Sequence, residues 1–378
     1  MKSTLSLLLL VLAACGDNNP SKQAAPDATP AVDAAPALPR AIVVAGDFGG
    51  ADHPGVMAAI DPDTQAVTKA IAPQGAVGDD PVLRHRTGEL LVVNRSDGNN
   101  VTILDDQTYA FVAQESTGTG SNPQDVAVVG NKLYVPTLAG KGVVTIDRTS
   151  HALHEIDLSA DDPDGKPNCE SIYAVGTKLY VACGLLDDSD PFLSPRGLGK
   201  VYVIDSATDL KVATITLTTK NPLGFLELAP STSPLAGALV VPTIDFATGN
   251  GCVEAIPTDG STTTTCIVQN TALGGFANRV DFRGTGAAMT MWMSVSATYP
   301  DANVQGYDFS THALFPAIVT PVAEHITDIA ACPHDRYVMA DQTMNASGIR
   351  IRDASTEVTA APLDVGLAPK SSHGIVCY

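Results

Sequence analysis

From Ala41 onward the apolar residues fall in short runs, such as "AIVVAG", "ELLVVN", "KLYVPT" and "KVYVID", each followed by polar residues or Gly. Short runs rich in Val and Ile, bounded by turn formers, read as β-strands. No long stretch repeats apolar residues at spacings of three and four, so few helices are expected. One unit recurs: an apolar run ending in Asp, then a Thr or Ser shortly after, then a second run. It occurs as "AAIDPDT", "TILDDQT", "VTIDRTS", "YVIDSAT", "QGYDFST" and "IRIRDAST". The Asp carboxylate can accept backbone N–H groups just ahead of it, and the hydroxyl can bond locally, which reverses the chain. Asp61, Asp105, Asp147, Asp205, Asp308 and Asp353 are therefore expected on turns at a rim, not in a common cleft. Pro257-Thr258-Asp259-Gly260 replaces the unit once, with an Asp-Gly hairpin turn.

Self-similarity at a period of roughly 40–50 residues signals a propeller or solenoid. Each period here holds four strand-like runs. The first runs are "PVLRHR", "PQDVAVV", "ESIYAV", "LGFLELA", "ANRVDFR", "ITDIAAC" and "HGIVCY"; the last of the fourth runs is "EVTAAPL". The pattern predicts an all-β fold, a seven-bladed β-propeller of four-stranded blades. The repeat starts at a second strand, "AIVVAG", and finishes on a first strand, "HGIVCY". One blade is thus expected to be closed by both chain ends, which leaves only short, protected edges.

"GNKLYV…VVTIDRTSHAL" at Gly130–Leu153 and "GTKLYV…VYVIDSATDLKVATI" at Gly176–Ile215 resemble the YVTN-type repeats of seven-bladed propellers on bacterial surfaces and in the periplasm. The resemblance covers most of the chain from Arg40. It implies the fold strongly and the function weakly, because related propellers serve as binding or scaffold proteins, lactone hydrolases and quinoprotein dehydrogenases.

Before Arg40 the pattern changes. Lys2 precedes an apolar run, Leu5 to Leu12, too short to span a bilayer and of the length of a signal-peptide core. It ends in Leu12-Ala13-Ala14-Cys15, which resembles the lipobox of bacterial lipoproteins. Residues 1–14 are then a lipoprotein signal peptide and Cys15 the lipid anchor, carrying palmitate-type acyl chains. Gly16, rather than Asp, follows the Cys, which favours the outer over the inner membrane of the cell envelope. Residues 15–39 are rich in Ala, Pro and Asp and read as an extended tether. The propeller occupies residues 40–378.

Composition adds a compartment and excludes partners. Formal net charge is −19, which leaves no basic footprint for nucleic acid or anionic lipid. Cys15 aside, the remaining six cysteines form an even set that suits an oxidising compartment. Cys169 and Cys183 lie symmetrically about Gly176, and Cys252 and Cys266 about Asp259. Opposed hairpin positions bring Cα atoms within disulfide range, so Cys169–Cys183 and Cys252–Cys266 are expected, and Cys332–Cys377 by elimination.

Candidate chemistry gathers where the first strands begin. Asp79, Asp80, Asn122, Asp125, Asn168, Glu170, Asn221, Asn278, His325, Asp328 and His373 all fall there. Asp80, Asn122, Glu170, Asn221, Asn278, His325 and His373 are the candidate ligand contacts at a channel mouth. Glu170, Asn221 and Asn278 are the candidate metal donors, since oxygen donors suit a hard cation such as Ca²⁺. Asn and Asp before strands are also ordinary turn formers. The loop Gly184–Leu198, "GLLDDSDPFLSPRGL", is expected on the same face. Two functions stay open. One is a monomeric, non-catalytic module binding a protein, glycan or small ligand; the other is a metal-dependent, lactonase-like hydrolase. A single Trp292 and few Arg disfavour quinoprotein chemistry.

Overall fold

The computed structural model describes residues 40–48, 55–284, 286–296, 302–316, 326–343, 345–353, 356–369 and 371–378. The expected signal peptide, Cys15, the expected tether and His325 lie outside the described residues.

Among the described residues seven antiparallel sheets follow one another along the chain, six of four strands and one of three. Blade 1 takes strands Ala41–Gly46, Gly55–Ile60 and Val67–Thr68 from the start of the ring, and its innermost strand, Ile375–Cys377, from the end. Ala41, Ile42 and Val43 pair with Cys377, Val376 and Ile375. The backbones of Arg40 and Tyr378 exchange two further hydrogen bonds. The innermost strands of blades 2 to 7 are Pro81–Arg86, Ala127–Val129, Cys169–Val175, Glu227–Leu228, Phe276–Arg283 and Ile326–Cys332. In blade 7 the run Glu357–Leu363 holds the outer position through the bridges Ile349–Leu363 and Arg352–Glu357, not a continuous ladder. Pro362 interrupts that run and cannot donate to a ladder.

The core is divided among the blade seams. Strand side chains alternate between the two faces of a sheet. Ala41 and Val43 pack on Val338, Ala340 and Ile351 of blade 7, while Ile42 and Val44 pack on Leu83, Leu90 and Val92 of blade 2. The other five seams are built the same way. With both faces covered, the second and third strands lose their polar alternation, which is why they read as unbroken apolar runs.

The recurrent Asp does form the turn. Asp105 accepts from the N–H groups of Gln107 and Thr108 at 3.0 and 2.7 Å, and Asp147 from those of Thr149 and Ser150 at 3.0 and 2.8 Å. The N–H groups of Thr108 and Ser150 hold these carboxyls below the usual range. The residue after the hydroxyl takes positive φ: Gln65, Tyr109 and His151 lie at 62°, 59° and 57°, and Asp209 at 57°. Its side chain reaches the preceding blade. Gln65 donates to the Val358 carbonyl, Arg40 donates to the Tyr109 hydroxyl, His151 meets Glu115, and Asp209 accepts from Lys132 and Tyr134. A turn that ends one strand thus also clasps the neighbouring blade.

Cys169 and Cys183 are directly opposed and bonded, and Cys332 is bonded to Cys377, joining blades 7 and 1. The expected Cys252–Cys266 bond is not formed: both are free thiols. The hairpin register already sets Ala255 opposite Thr265 and Glu254 opposite Cys266, and a further shift between Val253 and Glu254 sets Cys252 opposite Gln269, so the direct opposition that symmetry about Asp259 predicts is lost.

Candidate functional site: the central channel

All seven innermost strands run the same way along the axis, so the order of residues within them is the order of levels down the channel. At the upstream mouth the expected candidates are present but do different work. Asn122, Asn168 and Asn221 all have positive φ, at 49°, 50° and 25°. Their carbonyls accept the N–H groups of Leu138, Gly184 and Ile244. The Asn122 side-chain oxygen accepts from Ser96 N at 3.1 Å, and that of Asn168 from Leu186 N at 2.8 Å. They are strand-start turns. Asp80 is held by Arg95 at 2.5 Å. Asn278 sits in a bulge and donates to the Ser296 hydroxyl at 2.8 Å. Asn221 keeps one buried, unpaired oxygen. Among the described residues no three His, Cys, Asp or Glu side chains are arranged to hold a metal ion. Of the three expected donors, Asn278 is engaged through its amide nitrogen and Glu170 accepts the Gly224 N–H, while the Asn221 oxygen is buried and unpaired.

His373 closes this level. Its ring, 2% exposed, crosses from blade 1 to blade 5, where Nε2 accepts the Phe225 N–H at 3.0 Å and the rings meet at 4.0 Å. Burial and then Arg279, Arg84 and Arg95 push its pKa well below the usual histidine value, so Nε2 is free to accept. Only glycine fits at 224: φ is +82°, and a Cβ there would lie 2.6 Å from the Asn278 carbonyl and 2.7 Å from His373 Cε1.

Glu170 lies beside this plug. Burial raises its carboxyl to about 7, against the opposing pull of the Gly224 N–H and Arg95. Folded, it holds its proton to about pH 7; unfolded, it ionises near 4.5. Its contribution to stability is complete below the lower value and is lost as pH rises through the upper one. Glu170→Gln removes that titration. The variant is expected to gain on the parent by on the order of 2 kcal/mol between about pH 5 and pH 8.5, measured by denaturant unfolding. The same difference at both pH values would refute the assignment.

Below His373 the channel opens into a cavity of about 420 Å³, which the strand-start pattern did not point to. Arg84 grips Asp125 through two hydrogen bonds of 2.8 Å, reaches Glu227 at 3.2 Å and lies over the Phe225 ring. Burial opposes its charge, but Asp125 and Glu227 outweigh that and raise its pKa. Asp125 is fully buried and also accepts from Val126 N, Ser171 Oγ and Ile172 N. Across the channel Arg279 donates to Asp328 at 3.1 Å and to the Ile375 carbonyl at 3.0 Å, and Asp328 accepts the Ile375 N–H at 2.9 Å. The chain end, strand-paired within blade 1, is therefore also tied to blades 6 and 7 by charged side chains. Glu227 and Asp281 line the cavity with both carboxyls raised by burial. A signal for these groups did exist: Arg84, Arg279 and Asp281 are charged positions within the innermost runs.

The loop Gly184–Leu198 is anchored near the upstream mouth, where Asp188 accepts from Asn168 at 2.9 Å. Arg196 binds Asp162, Asp164 and Asp187, and Phe192 stands 80% exposed at the tip.

No family model matches the sequence, and no curated protein is detectably similar to it. Solved structures share the fold. The Cps50 (Swd1) β-propeller domain of Myceliophteria thermophila matches at TM-score 0.59 and 14% identity, over 80% of this chain and 91% of that one. A candidate 6-phosphogluconolactonase of Bacteroides uniformis matches at 0.58 and 12%, over 87% and 98%. Hydrazine synthase of Kuenenia stuttgartiensis matches at 0.50 and 18%, over 77% and 88%. At these identities the likeness is one of fold.

Proposed function

We propose that this chain is an envelope-tethered propeller of YVTN type that binds a small ligand in its central channel without transforming it. The observation that carries the reading is the cavity below His373, whose volume lies within the range of small-molecule sites. Arg84, Asp125, Arg279 and Asp328 pair with one another or with backbone groups, which makes a stiff, preorganised wall. Cys15 supplies the anchor, and the acidic surface turns away nucleic acid. The hydrolase alternative keeps one support: Glu170, with a carboxyl raised to about 7, is suited to general acid–base chemistry.

Native mass spectrometry tests the reading. Protein purified from its own membranes is expected to carry a small molecule that is released on denaturation and absent when Ala330→Trp fills the cavity. A folded parent with no channel-dependent mass would overturn it. In the same preparations Cys15→Ala is expected to abolish acyl labelling; persistent labelling would remove the anchor from the proposal.

A further inference from the structure

The charges around the cavity do not balance. Arg84 is taken by Asp125, and Arg279 by Asp328. Arg86 is paired with Glu89, and His85 with Asp106. Counted with these partners, the two lining carboxyls Glu227 and Asp281 are in excess, Glu227 sharing Arg84 with Asp125. They stand on the innermost strands of neighbouring blades 5 and 6, close enough for Asp281 to disfavour ionisation of Glu227. Glu227 receives a single side-chain bond, from Arg84, and Asp281 receives the N–H groups of Phe282 and Ala331 at 2.7 Å. An ionised carboxylate can accept about four hydrogen bonds, so both keep acceptor capacity. Tyr173, from blade 4, continues the same wall, and its phenol feels Glu227 directly. The lining from blades 7, 1 and 2 is apolar at Ala330, Val376 and Leu83. One side of the cavity thus offers acceptors and surplus negative charge, the other hydrocarbon.

We infer that the channel selects a small organic cation, an alkylammonium compound whose charged head lies against Glu227, Asp281 and Tyr173 and whose apolar part lies on Ala330, Val376 and Leu83. A bare metal ion would leave most of the 420 Å³ unfilled. An anion would meet the two surplus carboxyls. The ammonium supplies the donors these groups lack and restores their charged forms, and the face of Tyr173 adds attraction for a cation. The inference rests on the channel-binding reading and names its ligand class.

The test uses three probes of one chain length, n-hexylamine, n-hexanol and hexanoate, titrated calorimetrically into the full chain carrying Cys15→Ala at about pH 7.5. Hexylamine is expected to bind at least about tenfold more tightly than hexanol, and hexanoate more weakly than either. The double variant Glu227→Gln/Asp281→Asn keeps the shape and the hydrogen bonds to Arg84 and Ala331. It is expected to melt no lower than the parent, to retain hexanol binding and to lose the preference for the amine. A preference for hexanoate, or none among the three, overturns the cation assignment while a channel-dependent co-purified mass leaves the binding reading standing. Amine binding that survives the double variant, or that survives Ala330→Trp, also overturns it. If no probe binds and no mass co-purifies, both fall.

Discussion

Deleting residues 373–378 is expected to leave no soluble, cooperatively folded ring. The cut removes the innermost strand of blade 1, the His373 plug, the Cys332–Cys377 bond and the backbone pair between Arg40 and Tyr378. The disulfide spans 45 residues, a loop whose closure is worth about 4 kcal/mol in the chain-entropy model. Ile375, fully buried in the closing seam, adds about 2–3 kcal/mol of apolar burial. Asp328 loses the Ile375 N–H, and the Ala41–Val43 edge is left unpaired. Together these losses approach the whole stability of an ordinary domain, about 5–15 kcal/mol. The double variant Cys332→Ser/Cys377→Ser separates the parts: it keeps the strand, and should fold with a loss of about 2–4 kcal/mol. A truncated protein melting within about 2 °C of the parent would refute closure by both chain ends.

Replacing Arg84 by Met is expected to cost about 3–5 kcal/mol in denaturant unfolding, far more than a surface arginine. The hydrocarbon stem is preserved, but Asp125 is left at zero exposure without its counter-charge. The donors Val126 N, Ser171 Oγ and Ile172 N remain and hold its charge in place. Adding Asp125→Asn removes that charge, and the double variant should recover part of the loss. The non-additivity is the signature of a buried pair. A single-variant cost below about 1 kcal/mol would mean that water screens the channel interior and that the preorganised wall does not exist.

Much of the architecture is legible in the chain. The Asp turn is local: a carboxylate two or three residues from the N–H groups it binds needs no distant partner, so Asp61 and Asp147 can be read from sequence alone. Period and strand order follow from the same locality, because each blade is a meander of adjacent strands. Closure was legible too, since one unit lacks its first strand and the chain end supplies it. Cys169 and Cys183 are opposed as symmetry about Gly176 predicts, although the ladder beyond Ser171 is offset by one residue and a bulge between Cys169 and Ser171 makes up the difference.

The sequence by itself determined the all-β repeat, the turns and the closing strand, all of which depend on neighbours along the chain or on a repeated count. The tertiary structure alone decided the rest. The register set at the turn, shifted again between Val253 and Glu254, put Cys252 opposite Gln269 instead of Cys266, and such shifts leave almost no mark in composition. Ring geometry carried His373 across to Phe225, 148 residues away in sequence. It set Arg84 between Asp125 and Glu227, and brought Asp281 close enough to Glu227 to disfavour its ionisation. The physical reason is the same each time. Strand patterns specify which face a side chain occupies, whereas charge balance in a channel depends on seven strands meeting at one axis, and no single repeat contains that information.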